Sequence, residues 1–396
     1  NNCRWMLFHR GDSSVGSPAD GWRQVQVDPA GRTREPCPVA GFPDGRLFLS
    51  VNPTLTTDPN QYGGPARPEI LELAAAGPGG PFKTLRPVWD GSPEFTEHSY
   101  RSFAADGPAG ELILFQNIGY AHAEWSFRDS TGKWASSGKL KWPWGAEYDK
   151  PQPIRTCYPN VALKGRAVYF CGVSDVVEPY KKWQDFKYEL TGQKWDYDFR
   201  RLFYTWSRDI TTGKFEGWVE IASRDKTCGW IMPGDLWVAP DGAVHLVWTE
   251  RALDERLREK FFPGAVQRHE MNYALVRDGK VVTRRTLVSA EEGKSQEIPA
   301  QPRFQVTEEN RLFVFYYIGG RDAAGKRVSE NRVMEIHTDG SNPGTPGAVT
   351  VPLQHPMNSY FTATVRAGSP KSKVLDLLGT RVGGSGINYA RIRLTD

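Results

Sequence analysis

A two-strand unit recurs six times along this chain and constrains its fold more than any other feature. Each copy has an apolar strand, a turn rich in Gly, Asp or Asn, and a second strand made almost entirely of β-branched and aromatic residues. The second strands start at intervals of 65, 55, 77, 68 and 62 residues. Such a period indicates an internal structural repeat. The second strands are Arg46–Val51, Glu111–Gln116, Arg166–Val173, Ala243–Trp248, Arg311–Tyr317 and Lys373–Leu378.

The apolar second strands also predict how the copies are arranged. A strand that is apolar on both faces must be covered on both, and an isolated hairpin is marginal in water. Two further strand-like runs follow the hairpins, and radial stacking of four-stranded sheets supplies the cover. We therefore predict an all-β fold: one β-propeller domain over 1–396 with four-stranded antiparallel blades. The repeat count gives six blades, or seven if the first two strands form their own blade, and we expect strands from both chain ends to close the ring.

Composition agrees with this fold and excludes some functions. The chain has 14 Trp, 40 Gly and 29 Pro, which is typical of many short strands and turns. No run of 18 apolar residues exists, so we expect no membrane span. A net charge of +4 without a Lys/Arg run disfavours a nucleic-acid partner. We expect a monomer.

Five cysteines bear on the compartment. A three-residue turn at 163–165 would place Cys157 opposite Cys171, where a disulfide can form if the Cα separation suits, whereas a two-residue turn would displace them. The alternative is two small buried apolar residues. Cys3, Cys37 and Cys228 show no metal-ligand spacing. If the protein is secreted, we expect Cys157 and Cys171 to be linked.

Two insertions are predicted to contain short helices, near 179–190 and 251–262. In the first, Pro179 suits a first helical position, Gly192 suits a stop, and apolar residues at 183, 186 and 190 have helical spacing. In the second, Leu253, Leu257 and Phe261 recur every fourth residue. Both insertions would form walls of a cleft.

One turn carries a family resemblance. The stretch from Trp125 to Trp134 resembles the Asp-box of sialidase-like (BNR-type) proteins, with Ser126, Asp129, Gly132 and Trp134 at the anchor positions. Asp-boxes are structural turns, so they indicate fold and not chemistry. The chain thus resembles carbohydrate-active propellers, namely sialidase-like glycosidases and propeller polysaccharide lyases such as ulvan and rhamnose–glucuronate lyases. The resemblance implies a polysaccharide or oligosaccharide substrate, and we expect a secreted or periplasmic protein, with which a start at Asn1 is compatible.

The predicted site lies on one face of the ring. Connections from second to third strands, and from each blade to the next, emerge together around the mouth of the channel. The candidates for catalysis there are His98, His122, Tyr158 and Arg155. The candidates for substrate binding are Arg101, Tyr120, Glu178, Arg201, Trp230, Asp235, His269 and His355.

This inventory favours a lyase acting beside a uronic acid. An Arg fork offsets the carboxylate charge, after which the neighbouring proton can be removed. His98 or His122 would be the base, Tyr158 the acid, and Arg155 or Arg101 the carboxylate ligand. These residues could also merely hydrogen-bond the loops to each other.

Two other functions remain open. A glycoside hydrolase would use two rim carboxylates chosen from Glu97, Glu178, Asp235 and Glu250. A glycan-binding propeller without catalysis is the third reading. No cofactor is expected, because the sequence contains no transition-metal, P-loop or dinucleotide motif, although a structural ion such as Ca²⁺ stays compatible with it.

Overall fold

The strands of this chain form a six-bladed β-propeller. The computed structural model describes residues 6–10, 22–27, 38–56, 63–74, 81–96, 99–294, 296–337 and 347–394. Within these ranges, six antiparallel sheets take their strands in chain order, and the first strands of blades one to six contact one another in succession. The first strand of each blade is therefore the innermost, as the repeat predicts.

The first three blades are complete four-stranded sheets. Blade one comprises Val39–Gly41, Leu47–Val51, Glu69–Leu73 and Lys83–Leu85. Blade two comprises Arg101–Asp106, Glu111–Ile118, His122–Arg128 and Trp134–Lys141. Blade three comprises Thr156–Lys164, Ala167–Ser174, Arg201–Ser207 and Val219–Ser223.

The remaining blades follow the same order, and three two-stranded ladders bridge connections. Blade four comprises Trp230–Val238, Val244–Arg251, Arg268–Arg277 and Lys280–Glu291. Blade five comprises Gln296–Val306, Leu312–Arg321, Arg327–Ile336 and Val349–Val351. Blade six comprises Met357–Thr362, Val374–Arg381 and Asn388–Arg393. The ladders pair Pro65–Ala66 with Phe95–Thr96, Trp144–Gly145 with Gln152–Pro153, and Val176–Val177 with Tyr197–Asp198.

All six predicted second strands occupy the second position of their blade, so the repeat is confirmed. In blade two, seven of the eight residues of Glu111–Ile118 are buried, because neighbouring blades cover both faces. Apolar clusters fill each space from blade one through blade six. Their burial is the main favourable term in the stability of the ring.

The N-terminal strands close the ring differently from our expectation. Met6–Arg10 and Trp22–Val27 pair with each other as a separate two-stranded sheet, while blade six shows three strands among the described residues. The hairpin touches blade six through Trp22, whose ring centre lies 5.1 Å from that of Tyr389. It therefore packs beside the last blade and does not extend its ladder.

Both predicted insertions contain short helices. The first helix, Lys181–Thr191, ends at Gly192, which has a φ of 67°. Its buried residues are Trp183 and Lys187. Leu190 is exposed, although the apolar spacing had placed it on the same buried face as Trp183. The second insertion has a 3₁₀ turn, Glu255–Leu257, followed by the single helical turn Arg258–Phe261. Leu253 and Leu257 are fully buried, as expected.

The predicted disulfide is absent. Gly165 and Arg166 form a two-residue turn with positive φ at both positions, and a bulge between Cys157 and Asn160 shifts the register further. Cys157 consequently faces Val173 across the ladder, and Cys171 faces Asn160. Cys157, Cys171 and Cys228 are buried free thiols, and Cys3 and Cys37 lie outside the described residues. The alternative interpretation, two small buried residues, is the correct one for this pair.

The turn that resembles an Asp-box joins the third and fourth strands of blade two. The Oδ1 atom of Asp129 accepts hydrogen bonds from the backbone N–H groups of Thr131 (2.9 Å) and Lys133 (3.0 Å). Gly132 has a φ of 85°. Asp129 therefore acts as a local turn cap at this position.

A loop of blade six fills the axis of the ring at the end opposite the predicted site. Residues 363–373 join the first two strands of blade six, and the 3₁₀ turn Val365–Ala367 contacts the first strands of blades one to four. Gly368 has a φ of 87°, and a Cβ atom there would lie 2.0 Å from the carbonyl oxygen of Gly41. We call residues 363–373 the axial loop.

One buried carboxylate ties the axial loop to the ring. The Oδ1 atom of Asp235 lies 2.8 Å from Nε of Arg366. Its Oδ2 atom accepts a hydrogen bond from the backbone N–H of Phe304 in blade five (3.0 Å). Asp235 therefore links blades four, five and six.

We expect Arg366→Ala to lower the free energy of unfolding by about 3 kcal/mol, because the substitution leaves Asp235 buried without its cation. Urea unfolding would measure the change. Arg391→Ala is the control, since Arg391 forms an exposed pair with Asp376 and such pairs contribute less than about 1 kcal/mol. Equal shifts for both variants would contradict the role of the axial loop.

His245 gives the core a specific pH dependence. Its ring is fully buried, Nδ1 lies 2.8 Å from the hydroxyl of Tyr273, and burial lowers its pKa to about 4. Between about pH 6.5 and 4 the unfolded chain binds a proton that the folded chain does not. Stability therefore falls as the pH drops through this window.

We expect this imidazole to account for a loss of up to about 3 kcal/mol of stability between pH 6.5 and 4. In His245→Phe that part of the loss should vanish, whereas substitution of exposed His355 by Gln should leave the profile unchanged. Chemical denaturation across the pH range measures both. A His245→Phe profile that parallels the wild-type profile would refute the assignment.

Candidate functional site

Long connections crowd one face of the ring. The segment between the second and third strands spans residues 175–200 in blade three and 252–267 in blade four. The helix Lys181–Thr191 and the turn Glu255–Leu257 in these segments contact each other. This loop face is the one on which the sequence places the candidate residues.

Arg155 lies at the centre of an aromatic group on the loop face. Its Nε donates a hydrogen bond to the carbonyl oxygen of Asp175 (2.9 Å), and its Nη2 lies 2.8 Å from Oδ2 of the same residue. The guanidinium carbon lies 3.9 Å from the ring centre of Tyr120 and 5.6 and 5.7 Å from those of Tyr100 and Tyr197. These contacts fit cation–π packing.

Three tyrosine rings pack around this guanidinium, and a fourth, Tyr158, packs against one of them. We call Tyr100, Tyr120, Tyr158 and Tyr197 the tyrosine cluster. The hydroxyls of Tyr120 and Tyr197 are 3.0 Å apart, and those of Tyr100 and Tyr158 are 3.1 Å apart. Tyr158 sits in the bulge of blade three with a φ of 48°. Bulges re-aim side chains, and here the bulge leaves Tyr158 40% exposed.

The protonation states in this cluster follow from burial and pairing. Burial and the Tyr197 hydroxyl raise the pKa of Tyr120, so its hydroxyl stays protonated at neutral pH. Burial lowers the pKa of Arg155, but Cys157, Asp175 and Tyr120 raise it by more. Arg155 therefore stays charged, and Asp175 balances that charge.

The histidines that sequence analysis selected are dispersed. Nε2 of His122 lies 2.8 Å from Oε1 of buried Glu124 at the start of the third strand of blade two. His269 is half-buried in blade four, where burial and the charge of Arg251 lower its pKa. His355 is exposed before blade six. His98, like Glu97, lies outside the described residues.

Glu178 is an interior residue and not a rim residue. Its carboxylate takes a two-point contact from Arg200 (2.9 and 3.1 Å), and Nζ of Lys187 lies 2.7 Å away. Burial raises the pKa of Glu178, but these two cations lower it by more. The network joins the inserted helix to blade three.

Arg201 and Asp235 also have structural partners. Arg201 pairs with Glu220 (2.5 Å) and with Glu147 at the outer strands of blade three. Asp235 is 2% exposed and holds the axial loop. The remaining candidates lie at the start of innermost strands: Trp230 is half-buried in blade four, and Arg101 is buried in blade two.

A polar cavity of about 380 Å³ opens between blades three and four. It is lined by Ser223, Arg224, Glu250, Glu270, Asn272, Arg284, Arg285 and Thr286. Glu250, which the sequence analysis named as a rim carboxylate, lines this cavity. Glu270 faces it directly across the ladder of the second and third strands.

One arginine holds both carboxylates. Nε of Arg224 lies 2.8 Å from Oε2 of Glu250, and its Nη2 lies 2.6 Å from Oε2 of Glu270. The amide of Asn272 donates to Oε1 of Glu250. The Glu250 side chain is 1% exposed and the Glu270 side chain 16%. The cavity thus presents one enclosed and one accessible carboxylate.

A short backbone segment connects the tyrosine cluster with the cavity. The Phe199 ring lies 5.8 Å from that of Tyr158 and 6.4 Å from that of Tyr197. The next residue, Arg200, accepts a backbone hydrogen bond from Arg224 (2.8 Å). The two features therefore share the supporting segment 199–200, which directly precedes the strand Arg201–Ser207.

Sequence reasoning missed four residues of this face: Asp175, Tyr197, Arg224 and Glu270. Glu270 follows from Glu250 only once the register of the hairpin is known. Tyr197 lies in the first insertion, and the sequence pattern there predicts only that the insertion forms a wall of the cleft. Among the described residues, no group of three His, Cys, Asp or Glu side chains could hold a metal ion, and no helix is long and apolar enough to cross a membrane.

Comparisons with known proteins concern the fold. No family model and no curated sequence matches the chain. A Penicillium chrysogenum α-L-arabinanase complexed with arabinobiose superposes with a TM-score of 0.48 at 11% identity, covering 99% of this chain and 98% of its own. An α-L-arabinofuranosidase from Fusarium graminearum has a TM-score of 0.48, 13% identity and coverages of 91% and 92%.

A third similar structure comes from a protease. The β-propeller domain of the Trilobed protease from Pyrococcus furiosus gives a TM-score of 0.44 at 9% identity, with coverages of 91% and 82%. Similarities this distant are similarities of overall architecture. They assign no activity to this chain.

We expect Glu178→Ala to lower the free energy of unfolding by about 3–5 kcal/mol, since it leaves Arg200 and Lys187 buried without their shared carboxylate. Asp185→Ala, which removes an exposed pair with Lys181, should cost less than about 1 kcal/mol. Thermal or urea unfolding of both variants measures the difference. A Glu178→Ala protein as stable as the control would show that Glu178 is not part of the structural network.

Proposed function

We propose that this protein is a carbohydrate-active enzyme, a glycoside hydrolase whose catalytic carboxylates are Glu250 and Glu270. The observation that carries the proposal is their position side by side in one cavity, held by a single arginine. Two carboxyl groups flanking one bond are the usual requirement for glycoside hydrolysis. Cavities with a few convergent polar groups are the usual setting for such sites.

The surroundings suggest different roles for the two groups. Glu250 is enclosed and accepts hydrogen bonds from Arg224 and Asn272, so it is held in place as the group that attacks the anomeric carbon. Glu270 is more accessible and can reach the leaving oxygen as the proton donor. After attack, the same Glu270 would activate water to release the sugar.

The spacing of these groups predicts the stereochemistry. Oε2 of Glu250 and Oε2 of Glu270 lie 2.8 and 2.6 Å from two nitrogens of the same Arg224 guanidinium, so the two carboxyl groups are close neighbours. Retaining glycosidases separate their carboxyl groups by about 5–5.5 Å, whereas inverting ones need about 6.5–9.5 Å for a water molecule. We therefore propose hydrolysis with retention.

A lyase acting beside a uronic acid has weaker support. That reaction needs a cation to offset the substrate carboxylate, and the proposed residue, Arg155, already pairs with Asp175 at 2.8 Å. The lyase reaction remains testable, because it yields an unsaturated uronate that hydrolysis does not produce.

We expect Glu250→Gln and Glu270→Gln to lower turnover by about 10²-fold or more, the usual contribution of an acid–base or nucleophilic group. Reducing ends released from neutral and acidic polysaccharides measure turnover, and ultraviolet absorbance detects unsaturated uronate. Glu259→Gln, a change at an exposed carboxylate, is the control. Thermal melting verifies that each variant is folded.

Two further measurements sharpen this test. Azide should restore part of the activity of Glu270→Ala, because a small anion can replace a lost carboxylate but cannot repair a fold. Proton NMR of the first product should show the anomeric configuration of the substrate. Wild-type turnover in both Glu variants, or absorbance of unsaturated uronate with the wild-type protein, would overturn the proposal.

A further inference from the structure

The tyrosine cluster has features that folding alone does not require. Tyr120 and Tyr158 are 42% and 40% exposed, yet the Tyr120 ring packs on Arg155 and the Tyr158 ring packs against Tyr100. Their hydroxyls are also hydrogen-bonded, to Tyr197 and Tyr100 respectively. Exposed large rings usually move freely. These rings are held rigid while facing solvent.

We infer that the tyrosine cluster is a binding platform for a neutral polysaccharide chain. Its extension toward the Glu250–Glu270 cavity rests on the function proposed above, but the binding itself does not. Rigid aromatic rings supply large contact area at low entropic cost, and sugar rings present apolar C–H faces that stack on them. Tyrosine hydroxyls add hydrogen bonds to sugar hydroxyls.

Charge on this surface argues for a neutral ligand. Arg155 lies at the centre of the cluster, but Asp175 binds it through both the backbone oxygen and the carboxylate, and the rings cover its face. A uronate would gain little from a cation that is already paired. Stacking on a neutral sugar does not depend on that charge.

Aromatic residues extend the platform along one segment. Trp195, Tyr197 and Phe199 occupy alternate positions before the third strand of blade three, and Trp195 is 70% exposed. Phe199 adjoins Tyr158, and Arg200 adjoins Arg224 at the cavity. A ligand that contacts both Trp195 and the cavity would be a chain of sugars, so the platform favours a polymer over a disaccharide.

Affinity electrophoresis tests this inference with named probes: linear arabinan, xylan and mixed-linkage β-glucan as neutral polymers, and polygalacturonate and alginate as acidic ones. The measurement uses the Glu270→Gln background so that no probe is consumed. We expect retardation by at least one neutral polymer, and Tyr120→Ala or Tyr158→Ala should weaken it about tenfold, the loss expected for one aromatic contact.

Matched variants separate stacking from folding. Tyr158→Phe keeps the ring and should retain most of the affinity, while Tyr188→Ala, a change at a 45% exposed tyrosine of the inserted helix, should retain all of it. Binding of a neutral polymer should persist in 0.5 M NaCl, because salt screens charges and not stacking.

The outcomes are distinct from those of the hydrolase test. Tyrosine-dependent binding of a neutral polymer without hydrolysis by the wild-type protein would support the platform and reject the enzyme. Equal affinity in Tyr120→Ala, Tyr158→Ala and the parent would overturn the platform, as would preferential, salt-sensitive binding of acidic polymers. Retention of every probe at the wild-type position would overturn it as well.

Discussion

Burial of the second strand on both faces is the constraint on which this structure depends. A sheet with such a strand is stable only between two neighbours, so the blades must form a ring. Because the strands alternate in direction, successive connections lie at opposite ends of the ring. Those between first and second strands gather at one end, where one becomes the axial loop, whereas those between second and third strands gather at the other. Long insertions at 175–200 and 252–267 therefore meet on the same face without disturbing a core strand.

The ring is held together by specific polar contacts as well as by apolar burial. In blades one and six the second strands are only partly covered within the described residues, unlike Glu111–Ile118 of blade two. The axial loop belongs to blade six and touches the first strands of blades one to four, so it connects the last blade with the rest of the ring. The Asp235–Arg366 contact fixes it, so a carboxylate near the axis serves closure and not chemistry.

Apolar periodicity predicted the architecture, and local irregularities limited the rest. Six blades and two short helices followed from the repeat and from helical spacing, because those patterns report burial directly. The pairing of Cys157 with Cys171 failed because one bulge and one turn type decide register, and neither has a strong local signal. Glu178 was expected at the rim because it lies in a loop that leaves a strand. The sequence does not show that Arg200 binds it in the interior. Arg155, Tyr120 and Tyr158 belong to one cluster because adjacent blades bring their strands side by side.

Pairing of charges explains how two features on one face can serve different purposes. Arg155 is matched with one carboxylate, so it orders aromatic rings and leaves a neutral surface. Arg224 is shared between two carboxylates, so it holds Glu250 and Glu270 side by side, the arrangement on which the proposed hydrolysis rests. Residues 199 and 200 contact both features, so under the proposed function a polymer stacked on the rings would extend toward the cavity. Binding energy gained away from the reacting bond would then position that bond between the carboxylates.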